Sequence, residues 1–371
     1  MCGIRPQQAK QVLGIGFIGL IPFILLFYAY NTSSSQHAFQ LELPPMGERR
    51  PTSNDGELAL FNEMMRDWSP EKPRAVIYYL INGDNLWRLE RSLRLLNKNF
   101  NRKYMYPVII FYEKYLSDEA LWKLLSQSPS PLFFQRVTFT KPDSIKEPLR
   151  AAVKRSSCPY PLDKSRFPGY NHMCRFHVRL VFESPFLANV TWYWRLDDDS
   201  EILRYISYDV FKKMENGGYM YGYNSVHEED PLCVEHLLGN VTYYLFNQPI
   251  EPKNYYHWPK LDIFWNNFEI SNVKFWRRPD VWQFIDYIDR QGGIYYDRWG
   301  DAPIKTDAVT IFLDKNQTYF FSDLRYRHGV KNDTWIDTFL STDIFEIPVV
   351  SLVGMVLLVL IVFVFVGPFS R

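Results

Sequence analysis

The chain has 371 residues, enough for one large domain or two small ones, and its formal net charge is +1. No long basic run accompanies this balanced charge, which argues against nucleic acid as a partner. Aromatic residues make up 17% of the chain, a content that fits either stacking against sugars or bases or a large aromatic core, with a core as the default interpretation.

The amino-terminal part predicts a membrane anchor followed by a linker. Residues 1–11 are polar and contain two basic residues, and residues 12–30 are almost wholly apolar over nearly the length that spans a bilayer. The basic residues precede the span, so we expect a cytosolic tail and an uncleaved signal anchor; no clear cleavage site supports the alternative of a cleaved signal peptide. Residues 31–72 are polar and rich in proline, which predicts a stem with one helix near 57–68.

Alternating strand and helix patterns begin near residue 73 and predict an α/β domain. The first half reads as strand 74–81, helix 86–97, strand 106–112, helix 117–125 with Ser117 as its N-cap, strand 133–139 and helix 171–182. The second half reads as strand 219–223, helix 230–245, strand 273–275, helix 279–291 ending at Gly292, and strand 319–321. This alternation predicts a mainly parallel sheet with right-handed crossovers.

The stretch Thr191–Ser200 (TWYWRLDDDS) stands at the centre of this pattern. Its apolar and aromatic run fits a buried strand of a parallel sheet, and the three acids then follow the carboxyl end, where open α/β sheets bind ligands. In an extended chain Asp197 and Asp199 point the same way and Asp198 the other. Two such carboxylates can share a divalent cation that grips a diphosphate; a solvated acidic turn is the alternative.

The carboxyl-terminal part contains a second candidate membrane span. Residues 347–366 are apolar and carry no charge, which is long enough to cross a bilayer and too long for a core strand. A lipid-anchor signal is the competing interpretation, but such a tail lacks the polar end that follows here. Two spans would leave both chain ends in the cytosol and the folded domain, predicted over residues 73–340, in the lumen.

Three cysteines lie in the folded body, where they allow one disulfide and one remaining thiol: Cys158, Cys174 and Cys233. The sequence leaves the pairing open. Because no C-x-x-C pair is present, a structural zinc site is not expected. Five N-x-[ST] sequons support a secretory lumen only weakly, since chance alone produces a few.

Three further stretches contain candidate functional side chains. Glu269 lies among aromatic and amide residues at 264–270, where it is either a positioned carboxylate or a solvated residue of an edge strand. Arg298 and Asp301, in the loop at 292–303, could bind hydroxyls or phosphates or could brace the loop as an ion pair. His328 follows a short aromatic strand, and a lone histidine is most often structural. The common hydrolase, zinc protease and NTPase motifs are all missing.

Five motifs in order carry a family resemblance over roughly residues 74–329. They are YNHMCRF at 170–176, YWRLDDD at 193–199, FWNNFEI at 264–270, GGIYYDRWGDAP at 292–303 and YRH at 326–328. Together they resemble the fungal-type Golgi α-1,2-mannosyltransferase family. The resemblance implies a glycosyltransferase A-type fold, a GDP-mannose donor, Mn²⁺, transfer with retention of configuration, and a luminal catalytic domain on the Golgi membrane. A mannose-bearing acceptor glycan is the implied second substrate.

The resemblance also implies roles for single residues. It puts the metal on Asp197 and His328, with Asp199 as a further ligand or a ribose contact, and it makes Glu269 the proposed nucleophile and Tyr170 an active-site residue. Arg298 and Asp301 are the expected nucleotide-sugar contacts, and the loops around Trp265 and Trp299 are expected to shape the acceptor groove.

The chain departs from the family pattern at three places. The first strand ends in Asn82-Gly83 where relatives usually have Arg-Asn, which puts one nucleotide contact in doubt. Asp262 and Ile263 replace a Cys-His pair, so that disulfide is lost. The carboxyl-terminal span is an addition. Two alternatives therefore stay open: a catalytically inactive, membrane-anchored carbohydrate-binding protein, and a related transferase with another nucleotide sugar.

Overall fold

The computed structural model describes residues 52–84, 86–160 and 166–329. The predicted tail, both predicted membrane spans (12–30 and 347–366) and much of the predicted stem lie outside these residues. Among the residues that are described, no helix is both long enough and apolar enough to cross a bilayer.

Strands and helices alternate through the first half of the described chain, as the sequence predicts. The helices are α1 Asn54–Arg66, α2 Leu86–Leu96, α3 Arg102–Tyr104, α4 Asp118–Gln127, α5 Leu149–Ala152, α6 Gly169–Val178, α7 Val210–Asn216, α8 Leu237–Asn247, α9 Val273–Trp276, α10 Pro279–Gln291, α11 Gly293–Tyr296 and α12 Asp301–Phe312. The strands are β1 Ala75–Ile81, β2 Val108–Tyr112, β3 Leu132–Arg136, β4 Trp192–Leu196, β5 Ser200–Ile202, β6 Tyr221–Tyr223, β7 Val226–Glu228, β8 Asp262–Phe264, β9 Phe268–Asn272, β10 Thr318–Phe320 and β11 Tyr326–His328.

A seven-stranded mixed sheet in the order β10-β6-β9-β4-β1-β2-β3 forms the centre. Strands β4, β1, β2 and β3 run parallel, β9 runs antiparallel to both β4 and β6, and β10 is parallel to β6. Two short antiparallel pairs, β5–β11 and β7–β8, lie outside this sheet. The predicted mainly parallel α/β architecture is therefore confirmed.

Strands β1, β2, β4 and β9 are almost wholly buried, and the first three are largely continuous apolar and aromatic runs, as expected for a sheet covered on both faces. All five residues of β4 are buried, and Trp194 packs edge-on against Phe100 and Phe268 at centroid distances of 5.3 Å. The largest fully buried side chains are all aromatic, so much of the aromatic content belongs to the core.

Helix α1, within the stretch predicted as a stem, packs on the sheet. The Asn54 side chain donates to the Arg136 carbonyl at 2.9 Å and accepts from the Arg136 N–H at 2.8 Å, at the end of β3. Phe61 meets Phe133 edge-on at 5.3 Å. The helix begins where Ser53 accepts a hydrogen bond from the Gly56 N–H, a regular N-cap.

Two local predictions are wrong. The predicted strand at 273–275 is helix α9, because the Asn272 side chain accepts from the Lys274 N–H and starts a helical turn as β9 ends. The predicted helix at 230–245 begins only at Leu237. Before it, residues 231–233 form a 3₁₀ turn that ends at Cys233. Cys233 forms the disulfide with Cys158, which leaves Cys174 as a buried free thiol.

Candidate active site

The three consecutive acids form a tight turn at the carboxyl end of β4 rather than an extended segment. The Asp197 N–H donates to Ser200 Oγ at 3.0 Å, and the Ser200 N–H donates back to the Asp197 carbonyl at 3.0 Å. Strand β11 then pairs with β5 and places His328 opposite Ser200. His328 Nε2 lies 3.1 Å from Asp199 Oδ1 and 3.4 Å from Asp197 Oδ2, so the predicted metal-binding residues do meet.

Residues 197–199 form the acid loop. Burial and neighbouring charges shift the pKa values of Asp197 and Asp198 in opposite directions. Burial raises the pKa of Asp197, but the nearby Arg195 and His328 outweigh this effect and hold it below its usual value. Burial and the two neighbouring carboxylates raise the pKa of Asp198 to about 6. Burial tends to lower the pKa of His328, yet hydrogen bonding to Asp197 and the charges of Asp197 and Asp199 raise it above its usual value.

Arg195 connects the acid loop to the start of helix α12. Its side chain is 2% exposed, contacts Asp197 Oδ1 at 3.2 Å and forms a close ion pair with Asp301. Asn266 donates to Asp301 Oδ2 at 2.9 Å. Asp301, which also accepts a hydrogen bond from Asn266, therefore holds the Arg195 guanidinium in place beside Asp197. Arg195 was not predicted as a site residue, although a single arginine inside an apolar strand was a signal, because burying a charge requires a partner.

Glu269 is the most enclosed of the predicted site residues. It lies on β9, which has β4 and β6 as neighbours, so the alternative of a solvated edge-strand residue is wrong. Lys305 Nζ donates to both carboxylate oxygens at 2.7 and 2.8 Å, and the Tyr193 hydroxyl donates to Oε1. Lys305 and Glu269 are both 0% exposed. This conformation therefore leaves no carboxylate surface that a substrate could reach.

Lys305 is the second important residue that the sequence analysis missed. It follows Asp301 by one helical turn on α12, so both side chains face the same side of the sheet. A lysine in a fully buried helix was the available signal, since Lys is almost never buried unpaired. Burial lowers the pKa of Lys305, and the adjacent Glu269 opposes that effect.

Tyr170 and Arg298 form a separate pair. Arg298 Nη2 donates to the Tyr170 hydroxyl at 2.6 Å, and the guanidinium lies 4.6 Å from the ring centroid. Arg298 adopts a left-handed backbone (φ 68°) and is 7% exposed. Arg298 and Asp301 thus bind different partners, and the suggested ion pair between them is wrong because Asp301 is already paired with Arg195.

The two tryptophans predicted to shape an acceptor groove differ in accessibility. Trp265 is partly exposed and lies between His227 and His328, with ring centroids 4.1 and 5.1 Å away. Trp299 is 1% exposed and its indole donates to the Glu235 carbonyl at 2.7 Å. The Trp299 ring therefore belongs to the core, and only Trp265 of the two presents its own side chain to solvent.

The donor set at the acid loop fits a hard divalent cation in its chemistry. Asp197, Asp199 and His328 offer carboxylate oxygens and one imidazole, a set that Mn²⁺ accepts. In this conformation the histidine contacts both carboxylates directly, and no group of three such ligands among the described residues forms a preformed cage.

Comparison with known proteins identifies the family of the chain. A family model described as glycolipid 2-alpha-mannosyltransferase matches residues 33–343. Glycolipid 2-alpha-mannosyltransferase 2 of Candida albicans is 30% identical over 291 residues, which cover 70% of this chain and 59% of that protein. Glycolipid 2-alpha-mannosyltransferase of Saccharomyces cerevisiae is 29% identical over 276 residues, covering 69% of this chain and 61% of that protein.

A solved structure shares the fold. Core-mannan synthase A from Aspergillus fumigatus, crystallised in an Mn/GDP form, superposes with a TM-score of 0.65 at 24% identity, over 69% of this chain and 75% of that one. The chain spans about three fifths of the length of the two curated relatives it matches. The family model covers most of the chain, and it confirms the resemblance that the five motifs indicated. The chain belongs to the glycolipid 2-alpha-mannosyltransferase family.

Proposed function

We propose that the protein is a retaining α-1,2-mannosyltransferase that moves mannose from GDP-mannose to a mannoside of a glycoprotein or glycolipid. The observation that carries the proposal is the meeting of Asp197, Asp199 and His328 at the carboxyl edge of the sheet, in a chain of this family. The Mn/GDP form of the Aspergillus fumigatus relative supports the same donor class.

The sheet topology supports a nucleotide site beside the acid loop. Strands β2 and β3 continue the sheet on one side of β1, whereas β4 lies on its other side. The loops after β1 and β4 therefore diverge, and such a switch point is where open α/β sheets bind nucleotides. Asp197, Asp199 and His328 would hold Mn²⁺ there, and the cation would neutralise the charge that develops on the leaving diphosphate.

In this proposal Tyr170 and Arg298 position a substrate, whereas Asp301 acts indirectly. Tyr170 and Arg298 are joined by a 2.6 Å hydrogen bond, so they would position the donor or acceptor as one unit. Asp301 would act through Arg195, which it fixes beside Asp197, rather than through direct contact with a sugar. Trp265, beside His328, would contribute to the acceptor groove.

Glu269 would lie beneath the anomeric carbon, on the side opposite the leaving diphosphate, and would act by one of two routes. It either forms a short-lived glycosyl-enzyme intermediate or stabilises an oxocarbenium-like ion while the acceptor attacks. Its full burial and its bonds to Lys305 and Tyr193 support the electrostatic route, because a nucleophile must first be uncovered. Detection of a covalent sugar on Glu269 by mass spectrometry would reverse that preference.

The proposed location is the Golgi membrane, with the catalytic domain in the lumen. The disulfide between Cys158 and Cys233 supports an oxidising compartment, where such bonds form and persist. The predicted spans at 12–30 and 347–366 supply the membrane attachment in this proposal.

A donor panel tests the proposal. The purified protein is incubated with GDP- and UDP-sugars and a mannoside acceptor, in Mn²⁺ and in EDTA, and the product linkage is determined by NMR. We expect transfer only from GDP-mannose, only with the metal, and in the α-1,2 linkage. Efficient transfer from another sugar nucleotide would favour the related-transferase alternative.

The inactive carbohydrate-binding alternative makes a different prediction. Turnover of any donor excludes it, whereas a purified protein that binds mannosides but shows no heat of binding for GDP with Mn²⁺ would support it. The altered Asn82-Gly83 segment is the feature that motivates this control.

A further inference from the structure

Helix α2 presents arginines toward the acid loop and the strands that follow it. Arg91 forms a close ion pair with Glu201 on β5, and Glu201 also binds Arg327, the neighbour of His328. Glu201 is 1% exposed, so this contact fixes the helix against strand β5, which directly follows Asp199. The orientation of α2 relative to the acid loop is therefore well defined.

Arg88 lies one helical turn before Arg91 on the same face of α2. With a rise of about 1.5 Å per residue, it sits about 4.5 Å closer to the helix start, and that start follows the carboxyl end of β1. Arg88 interacts electrostatically with Asp198 and Asp199. Its Nε is buried and, among the described residues, has no hydrogen-bond partner.

A buried guanidinium nitrogen without a partner is costly, and such groups are normally satisfied in a functional state. Arg88 belongs to the helix that follows the carboxyl end of β1 and interacts with two acids that follow β4, so it borders the switch point proposed for the nucleotide. A nucleoside diphosphate entering there would meet three aspartates, so a fixed positive charge is needed besides the cation. The planar guanidinium matches phosphate oxygens with two parallel donors.

We infer that Arg88 is a direct contact for the diphosphate of the bound sugar nucleotide. This inference rests on the proposed function and names a further residue of that site. Arg88, on the helix that follows β1, binds the diphosphate directly. Asp197 and Asp199 after β4, together with His328 on β11, would hold the cation.

Calorimetric titration of the purified full chain with GDP and with GMP, each in Mn²⁺ and in EDTA, tests this contact. For Arg88→Ala we expect a GDP affinity about 10- to 100-fold lower than wild type, the range for one charge-assisted hydrogen bond. The loss should be similar with and without Mn²⁺ and smaller for GMP. Arg88→Lys should recover part of it, because lysine keeps the charge but not the fork.

The matched control is Arg94→Ala, which removes an exposed arginine of the same helix and should leave GDP binding unchanged. An unchanged GDP affinity for Arg88→Ala would overturn the inference, as would a loss seen only in Mn²⁺, which would mean that Arg88 acts through the acid loop. If Arg88→Ala unfolds, Arg88→Lys and Arg88→Gln provide the same comparison, since only the first keeps the charge. Failure of the wild type to bind GDP would instead refute the proposed function.

Discussion

Two groups of carboxylates lie on or directly after the paired strands β4 and β9 of this site and differ in how their charge is compensated. At the acid loop, Asp197 and His328 keep 28% and 27% of their side-chain surface exposed and meet at 3.4 Å. On β9, Glu269 is fully enclosed, and Lys305 and Tyr193 satisfy its oxygens. The first group can exchange its partners for a ligand at modest cost, whereas the second cannot lose a partner without leaving a buried charge.

The difference separates two kinds of predicted site residue. The partly exposed acids are suited to binding, so changing them should affect activity more than stability. The enclosed pair of Glu269 and Lys305 is suited to maintaining a fixed electrostatic field and geometry. Changing either residue should therefore affect stability first. The predictions below test this division, beginning with the largest expected effect.

Lys305→Met should lower the free energy of unfolding by about 3–5 kcal/mol, because it leaves Glu269 buried without its cation. Denaturant titration of the purified protein measures this change. The double variant Lys305→Met/Glu269→Gln should regain part of the loss, since neither charge remains. A single variant within about 1 kcal/mol of wild type would show that the pair is not the stabilising element described here.

Asp307 on α12 adds a third kind of carboxyl group to this comparison. It is buried, and among the described residues its Oδ2 has no hydrogen-bond partner. Burial raises its pKa from 3.8 to about 7. The folded protein therefore keeps this proton over a range in which the unfolded chain has lost it, so stability falls as pH rises from about 4 to about 7. The full effect is at most about 4 kcal/mol.

Asp307→Asn should remove this component of the pH dependence. We expect the variant to match wild type near pH 4 and to exceed it in stability near pH 7.5, measured by unfolding at each pH. Asp67→Asn, at an exposed position, is the control and should leave the slope unchanged. Parallel pH profiles for wild type and Asp307→Asn would contradict the assignment.

Asp197→Asn should lower mannose transfer by about 100-fold or more, as expected when one charge-stabilising group is removed from a reacting site. Its partly exposed carboxylate should contribute only about 1 kcal/mol to folding, so the melting temperature should change little. Transfer assays with and without Mn²⁺ measure the first effect. Glu63→Gln, at an exposed position, is the control for a lost surface charge. Activity equal to wild type would remove Asp197 from the metal site.

Asp198→Asn should have the smallest effect, with transfer within about threefold of wild type. Within the described part of the chain the His328 ion pairs go to Asp197 and Asp199, and burial together with repulsion from its two neighbours disfavours the charge of Asp198. The same assay measures it beside Asp197→Asn. A loss as large as that of Asp197→Asn would mean that all three acids bind the cation.

The sequence alone was sufficient for the parts of the fold that depend on local pattern. Strand β1 and helices α2 and α4 were predicted to within a few residues, because continuous apolar runs and helical spacing encode them directly. The prediction failed at 273–275, where the short segment Val-Lys-Phe fits both a strand and a helix and the cap at Asn272 decided the outcome.

The residues of the candidate site also divide into those that the sequence could indicate and those that it could not. Asp197, Asp199 and His328 could be grouped from the sequence only through the family motifs, and the structure brings them together by pairing β11 with β5. Arg195 and Lys305 were missed because partners 106 and 36 positions away in the chain satisfy their charges. Spacing along the sequence carries no information about such contacts.

What the sequence determined by itself was the α/β pattern, the order of the motifs and the family to which they point. Only the tertiary structure decided which cysteines pair, that Glu269 is enclosed, and that Arg88 interacts electrostatically with the acid loop. The physical reason is that secondary structure follows from the period of neighbouring residues, whereas burial and ion pairing depend on which segments the sheet topology places side by side.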